Sequence, residues 1–241
     1  MQNFLSIKKK TTKSTSDILF APFYSIMKMY VKMDLGVQYD DVVNGKELTA
    51  QELETIFEFR NNCYQNRSPH LLAESRAEVK KEKIYDEYAY HAIARDNKGD
   101  LVAVSRFLPY PFEMCQVGLP SNLKLSQFTN YLEISRLVTS RPGKGIGKRL
   151  LIHAGVWAIE DTIYDGFLAI AREKNLKLFS YFGLSKLASF QLEKRPGADY
   201  SLIKADFRLI TKSTMKFFTF KNNTFVKSRL VKSITSVLRS L

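Results

Sequence analysis

The sequence is short of thiols, imidazoles and acids. It holds two cysteines, Cys63 and Cys115, and three histidines, His70, His91 and His153, in 241 residues. Two thiols this far apart make no disulfide framework, and neither has a metal-ligand neighbour at a usual spacing. A cystine-stapled fold and a structural zinc site are therefore not expected. No apolar run approaches the ~18 residues of a membrane-spanning helix. Residues 1–17 are basic and polar after a short apolar start, without the continuous apolar stretch and small-residue cleavage site of a signal peptide. The expectation is a cytoplasmic chain. Acids number 24 against 37 lysines and arginines, a net charge of +13. That surplus suits nucleic acid, an anionic membrane surface, an acidic protein or a phosphorylated cofactor, or it simply keeps the surface soluble.

What is present is enough for a core. Hydrophobic residues make up 45% of the chain, which excludes disorder as the main state. The pattern divides into a basic flexible arm at 1–17, a single domain at 18–210 and a basic C-terminal segment at 211–241. The last contains no acid and sets Val226, Leu230, Ile234, Val237 and Leu238 near one helical face. Such a helix suits a peripheral membrane contact or an acidic partner, or is a solvated tail. Residues 18–33 are apolar and aromatic and read as a helix lying on the core or on a membrane surface.

Thr49-Ala50-Gln51-Glu52 is a capping box opening a helix with Leu53, Ile56, Phe57 and Arg60 near one face. Residues 68–83 are charged and read as helix or loop. Tyr88–Ala94 and Leu101–Leu108 read as the strands of a hairpin turned at Asp96-Asn97-Lys98-Gly99. Tyr131–Thr139 reads as a third strand, followed by the glycine-rich turn 140–148 and an apolar helix from about Lys148 to Tyr164, ended by Gly166. Phe167–Ala171 is a fourth strand, and 173–183 a short helix.

A strand running into Gly143-Lys144-Gly145-Ile146-Gly147-Lys148 and then a helix leaves unpaired N–H groups aimed at one spot, with the helix dipole adding positive charge. Glycine lets a phosphate approach the backbone. The spacing is wrong for a P-loop and for a dinucleotide fingerprint. A phosphate or pyrophosphate site of another type remains, or a plain flexible turn.

Several stretches, in order, carry a resemblance. Phe57-Glu58-Phe59-Arg60 with Tyr64, Asp86-Glu87-Tyr88-Ala89 before Tyr90–Ala94, Ser105–Pro109, and Leu132-Glu133-Ile134-Ser135-Arg136-Leu137 are its core. Phe167–Arg172 and Tyr181–Leu184 follow. Over residues 50–190 the chain resembles the GNAT superfamily of N-acyltransferases, most of all the N-acyl amino acid synthases and acyl-homoserine-lactone (autoinducer) synthases. The resemblance implies an α/β (α+β) fold with a mixed, mostly antiparallel central sheet flanked by helices. The sequence departs from the homoserine-lactone pattern at Ala89, where a second Asp is usual. It also departs at Pro142, which stands at the Gln/Arg position of the pyrophosphate loop, with Arg141 one residue early.

The resemblance implies transfer of an acyl group, long-chain by this subgroup, from acyl-CoA or the phosphopantetheine of an acyl carrier protein to a small amine such as an amino acid. No permanently bound cofactor and no metal is expected, and nucleic acid is not an expected partner. Glu133 is the candidate general base, or else a partner of Arg136 or Arg106 that only holds the site. Arg60, Asp86, Arg106 and Arg136 are candidate acceptor-side residues, or structural ion pairs. Leu137, Val138 and Thr139 are candidates for backbone contacts to the donor, and Arg141, Gly143, Lys144, Gly145, Gly147 and Lys148 for its phosphates. Tyr85, Tyr88 and His91 read as structural. An acetyltransferase with a small donor, a homoserine-lactone synthase and a non-enzymatic basic binding module are the alternatives.

Overall fold

The computed structural model describes residues 24–32 apart from 26, and 36–207 apart from 74, 117–118, 121–122, 177–178, 180–182 and 193–196. The arm at 1–17, the segment 211–241 and much of 173–183 lie outside the described residues. Strands β1 (Val37–Tyr39), β2 (Val43–Asn44), β3 (Tyr90–Asp96), β4 (Leu101–Pro109), β5 (Tyr131–Thr139), β6 (Gly166–Arg172), β7 (Ser185–Gln191) and β8 (Asp199–Asp206) form one sheet. Its order is β1-β3-β4-β5-β6-β8-β7, with β2 beside β3. Every pair is antiparallel except β5 and β6. A parallel pair needs a crossover, and helix α3 (Ile146–Asp161) supplies it.

Helices α1 (Ala50–Arg67) and α2 (Arg76–Tyr88) precede the hairpin. α1 opens with the capping box, Thr49 and Glu52 each satisfying the other's backbone N–H. Ile56, Phe57, Arg60 and Tyr64 form its buried stripe. α2 starts where Ser75 Oγ accepts from Glu78 N–H. It runs through Tyr88, so the strand expected from Tyr88 begins at Tyr90 instead. The last turns stay helical because Glu82 and Asp86, one turn apart, are both buried toward α1. The β3–β4 hairpin turns where expected, with Asp96 Oδ1 accepting from the N–H groups of Lys98 and Asp100.

The two faces of the sheet carry different layers. On one, Ile146, Leu150, Ile152, Val156 and Ile159 of α3 pack on Tyr90, Phe107, Leu132 and Phe167. Tyr24, Met27 and Val31, spaced at helical intervals, join this cluster, and Lys28 pairs with Glu160 at 2.6 Å. The helical residues 24–32 thus lie on the core. On the opposite face, Ile56 and Tyr64 of α1 cover Ile93, Val104 and Val138. Beside them Phe112, Met114 and Leu125 of the β4–β5 connection cover Tyr131 and Leu168.

α3 begins two residues before the expected Lys148, because Gly145 at φ +77° turns the chain directly into it. It stops at Asp161 rather than Tyr164, with extended Thr162 bonding its hydroxyl back to Ala158 O. Gly166 therefore does not end a helix; it opens β6, where a β-carbon would stand 2.1 Å from Ala205 O. Gly45 is held as tightly: a β-carbon there would lie 2.0 Å from Asp86 O. Gly45→Ala is expected to force α2 from its seat and lower stability by about 1–3 kcal/mol, read from urea unfolding.

Candidate active site

β5 and β6 pair over three residues only, Tyr131↔Gly166, Leu132↔Phe167 and Glu133↔Leu168. β6 continues along β8 to Arg172, and β5 continues along β4 to Thr139. The two strands therefore part after Glu133. Between them, the edge of β5 from Ile134 to Thr139 faces β6 with no ladder partner among the described residues; Thr139 O goes to Arg67, and the rest of that edge is free of sheet pairing toward β6.

The parting has a local cause. The β4–β5 register slips between Val104 and Arg106, and Arg136 takes φ +55°. This is a bulge with the extra residue on β5. It also sets which way side chains point. Leu132 and Leu137 both pack in the α3 cluster, although five residues apart, while Val138 joins the α1 cluster. Regular alternation would send Ser135 and Arg136 to opposite faces; the bulge puts both on the side of α1 and α2. The left-handed conformation costs a non-glycine residue about 1–2 kcal/mol, which the contacts of Arg136 offset.

Those contacts belong to a buried network of three arginines and three carboxylates. Asp86 Oδ1 accepts from Arg60 Nη1 at 2.8 Å and from Arg106 Nη1 at 3.0 Å, and Arg60 Nη2 reaches Asp86 Oδ2. Glu82 Oε1 stands 3.3 Å from both Arg60 Nη2 and Arg136 Nε. Arg106 donates Nε–H to Ser135 Oγ at 3.1 Å and an Nη2 hydrogen to Glu113 Oε2. Arg136 Nη2 donates to Glu113 Oε1 at 2.7 Å. The side chains of Arg60 and Arg106 are 1% exposed, that of Arg136 18%. Burial pushes the Asp86 carboxyl up, but Arg60 and then Arg106 outweigh it and hold it down to about 2. His91, paired with Arg106 across the strands, sets Nε2 2.8 Å from Asp86 O. Burial brings it down to about 4 against the pull of Asp86, so it is neutral at physiological pH.

Glu133 differs from the other acids. It is buried at the apex of the parting strands and accepts Met114 N–H at 3.2 Å. Burial, then the charge of Glu113, push its carboxyl up from the ordinary 4.5 to about 8, against Arg106 and backbone N–H groups. It is thus poised near neutrality, where a general base works best.

The sequence matches no protein-family model and no curated protein. Solved structures do match. MesI, a CoA-dependent acyl-homoserine lactone synthase, aligns over 76% of this chain and 96% of its own, at 16% identity and a TM-score of 0.52. TofI, solved in a ternary complex with an inhibitor and MTA, aligns over 74% and 96%, at 12% identity and a TM-score of 0.53. An acyl-CoA N-acyltransferase from Pseudomonas aeruginosa aligns over 70% and 98%, at 16% identity and a TM-score of 0.49. The fold is the GNAT fold.

Within this GNAT fold the expected site residues fall into two groups. Arg60, Asp86, Arg106 and Arg136, scattered along the chain, meet in one ion-pair cluster, and Glu133 lies beside it, within reach of the charges of Glu113 and Arg106. Leu137–Thr139 lie on the open stretch of β5, leading to the glycine turn at its end. There Gly143 and Gly145 have φ +79° and +77° and open space where a β-carbon would be. The turn and Lys144 are exposed, and Lys148 is half-buried on the first turn of α3. Arg141 pairs with Asp96 across the hairpin turn. The sequence reading missed Glu82, Glu113, Ser135 as an arginine partner, and Arg67. The last donates from Nη2 to Ser140 O at 2.9 Å and from Nη1 to Thr139 O, fixing the start of the turn. Glu82 alone left a trace, standing one helical turn before Asp86.

Asp86→Asn removes a buried charge from two arginines and is expected to destabilise by about 3–5 kcal/mol at pH 7. The depressed Asp86 carboxyl contributes stability above its ordinary range, lost as pH falls toward about 2. Variant and wild type should therefore converge in acid, as followed by denaturant unfolding. Glu133 has the opposite sign. Its stabilising proton is held below 4.5 in both states and its contribution is lost as pH rises from there through about 8. Glu133→Gln should gain stability relative to wild type across that window and run parallel to it beyond.

Proposed function

We propose that this chain is an N-acyltransferase that moves an acyl group from a thioester of CoA or of an acyl carrier protein to the amine of a small acceptor such as an amino acid. The observation that carries the reading is the parting of β5 from β6 at Glu133, with an unpaired strand edge running from there to the glycine turn. Residues 134–139 span about 20 Å at ~3.3 Å each, a length suited to an extended pantetheine arm. Its amides would pair with the β5 edge, its phosphates with the Gly143–Gly147 turn, Lys144 and Lys148, and its thioester would lie at the apex beside Glu133.

Glu133, ionised, takes a proton from the amine, directly or through a water. The amine nitrogen attacks the thioester carbonyl and the C–N bond forms. N–H groups among Leu137–Thr139 donate to the oxyanion. As the C–S bond breaks, the proton held on Glu133 passes to the leaving sulfur, and amide and thiol depart. Arg60 and Arg106 are 1% exposed and give their Nη groups to carboxylates, so in this reading they hold the site rather than touch substrate. An acceptor carboxylate would meet Arg136, the most exposed of the three. A long acyl chain and an amino-acid acceptor rest on the motif order from Arg60 to Arg136 alone. No helix among the described residues is long and apolar enough to cross a membrane.

The protein should release thiol when given acyl-CoA or acyl carrier protein together with an amine panel, and the donor length that turns over fastest separates a long-chain enzyme from an acetyltransferase. Absence of thiol release with every donor, alongside salt-sensitive binding to duplexes or anionic vesicles, would replace this reading with a basic binding module. Glu133→Gln is expected to lower kcat by about 10²–10⁴ without weakening donor binding. Wild-type kcat should rise with pH through about 8, because only the ionised carboxylate accepts the proton.

A further inference from the structure

Glu113 is the one carboxylate of the buried network that comes from a connection rather than a helix. It opens the 3-10 turn Glu113–Gln116 between β4 and β5. Its two oxygens go to different strands, Oε2 to Arg106 on β4 and Oε1 to Arg136 on β5. The next residue, Met114, donates its N–H to Glu133 Oε2 and buries its side chain among Phe112, Tyr131 and Leu168. Two residues further, Gln116 Nε2 donates to Tyr85 Oη on α2. One short turn is therefore tied to β4, β5 and α2, and it covers Glu133.

We propose that Glu113 is a positioning residue, a latch that holds the 113–116 turn closed over the Glu133 carboxyl by bridging Arg106 and Arg136. The inference rests on the acyltransferase reading for its catalytic consequence and on geometry alone for the latch. Two effects follow. Closure aims the Met114 N–H at Glu133 and fixes the carboxylate's direction. The negative charge of Glu113, held close by, keeps the proton on Glu133 to higher pH. The charged and titratable groups around Glu133 are Glu113 and Cys115 from the turn, Arg106 from β4 and Tyr85 from α2; on β6 its neighbour is the apolar Leu168. Of these, Glu113 is the anion, so its loss tips the balance toward an ionised Glu133.

The test uses the full-length protein and two variants. Carbon-13 NMR titration of the Glu133 side chain reads its protonation, and hydrogen exchange at the Met114 amide reads closure of the turn; neither needs turnover. In Glu113→Gln the Glu133 midpoint should fall by about one pH unit or more, and the Met114 amide should exchange at least tenfold faster. Glu113→Asp keeps the charge but cannot span both arginines; its Glu133 midpoint should stay high while Met114 exchange accelerates. It also serves if the glutamine variant fails to fold. In an active enzyme the pH profile of kcat should move with the NMR midpoint, with donor KM unchanged. An unmoved Glu133 midpoint in Glu113→Gln, or unchanged Met114 exchange in either variant, would overturn the latch even if thiol release stands. A moved midpoint and faster exchange without any thiol release would keep the latch and sink the acyltransferase.

Discussion

Asp86 lies between Arg60 and Arg106, and around this pair of contacts the rest of the molecule is arranged. Arg60 brings α1, Asp86 brings the end of α2, Arg106 brings β4, and through Glu113 and Glu82 the network reaches Arg136 on β5. Each buried ion is expensive to desolvate, by several kcal/mol even after relaxation. Such a set is stable only when complete, with three guanidinium groups facing three carboxylates. The set is net neutral, so this buried cluster carries no surplus charge in a chain whose overall charge is +13. Glu133 stands outside the balance: burial, and then the charge of Glu113, push its carboxyl up to about 8.

The same network allows the strained turn on β5. Arg136 at φ +55° is held from two sides, by Glu113 and Glu82. The bulge, the parting of the strands and the open edge of β5 follow from that one conformation. The ion pairs of Arg136 thus hold the conformation at which β5 parts from β6.

Much of this was legible in the sequence, and the rest was not for physical reasons. The capping box at Thr49, the Asp96–Gly99 turn and the strand–glycine–helix unit after Thr139 are local signals, each built from neighbours in the chain, and the structure shows them in place. The boundary at Tyr88 depends on Glu82 and Asp86 facing Arg60, a partner in another helix, so local alternation misplaced it. β7 is an edge strand exposed at most positions, with no apolar alternation to mark it. The motif residues Arg60, Asp86, Arg106, Glu133 and Arg136 could be named as a set, but not their pairing: which arginine is sealed and which reaches solvent is decided by the layers packed over them. Glu113 carried no signal, since a lone acid in a connection looks like a solvated one.

The bulge at Arg136 has a consequence for counting. Before it, odd-numbered residues of β5 face the layer opposite α3; after it, even-numbered ones do, as Tyr131 and Val138 show. β5 is thus two strands of opposite parity joined in the middle. Deleting the one extra residue at the join would restore a single parity and leave the side chains of both halves in the layers they occupy now. This short stretch has an inside-outside reading frame of its own, and the join is where a residue can leave it without a shift of frame, at the loss of the kink beside β6.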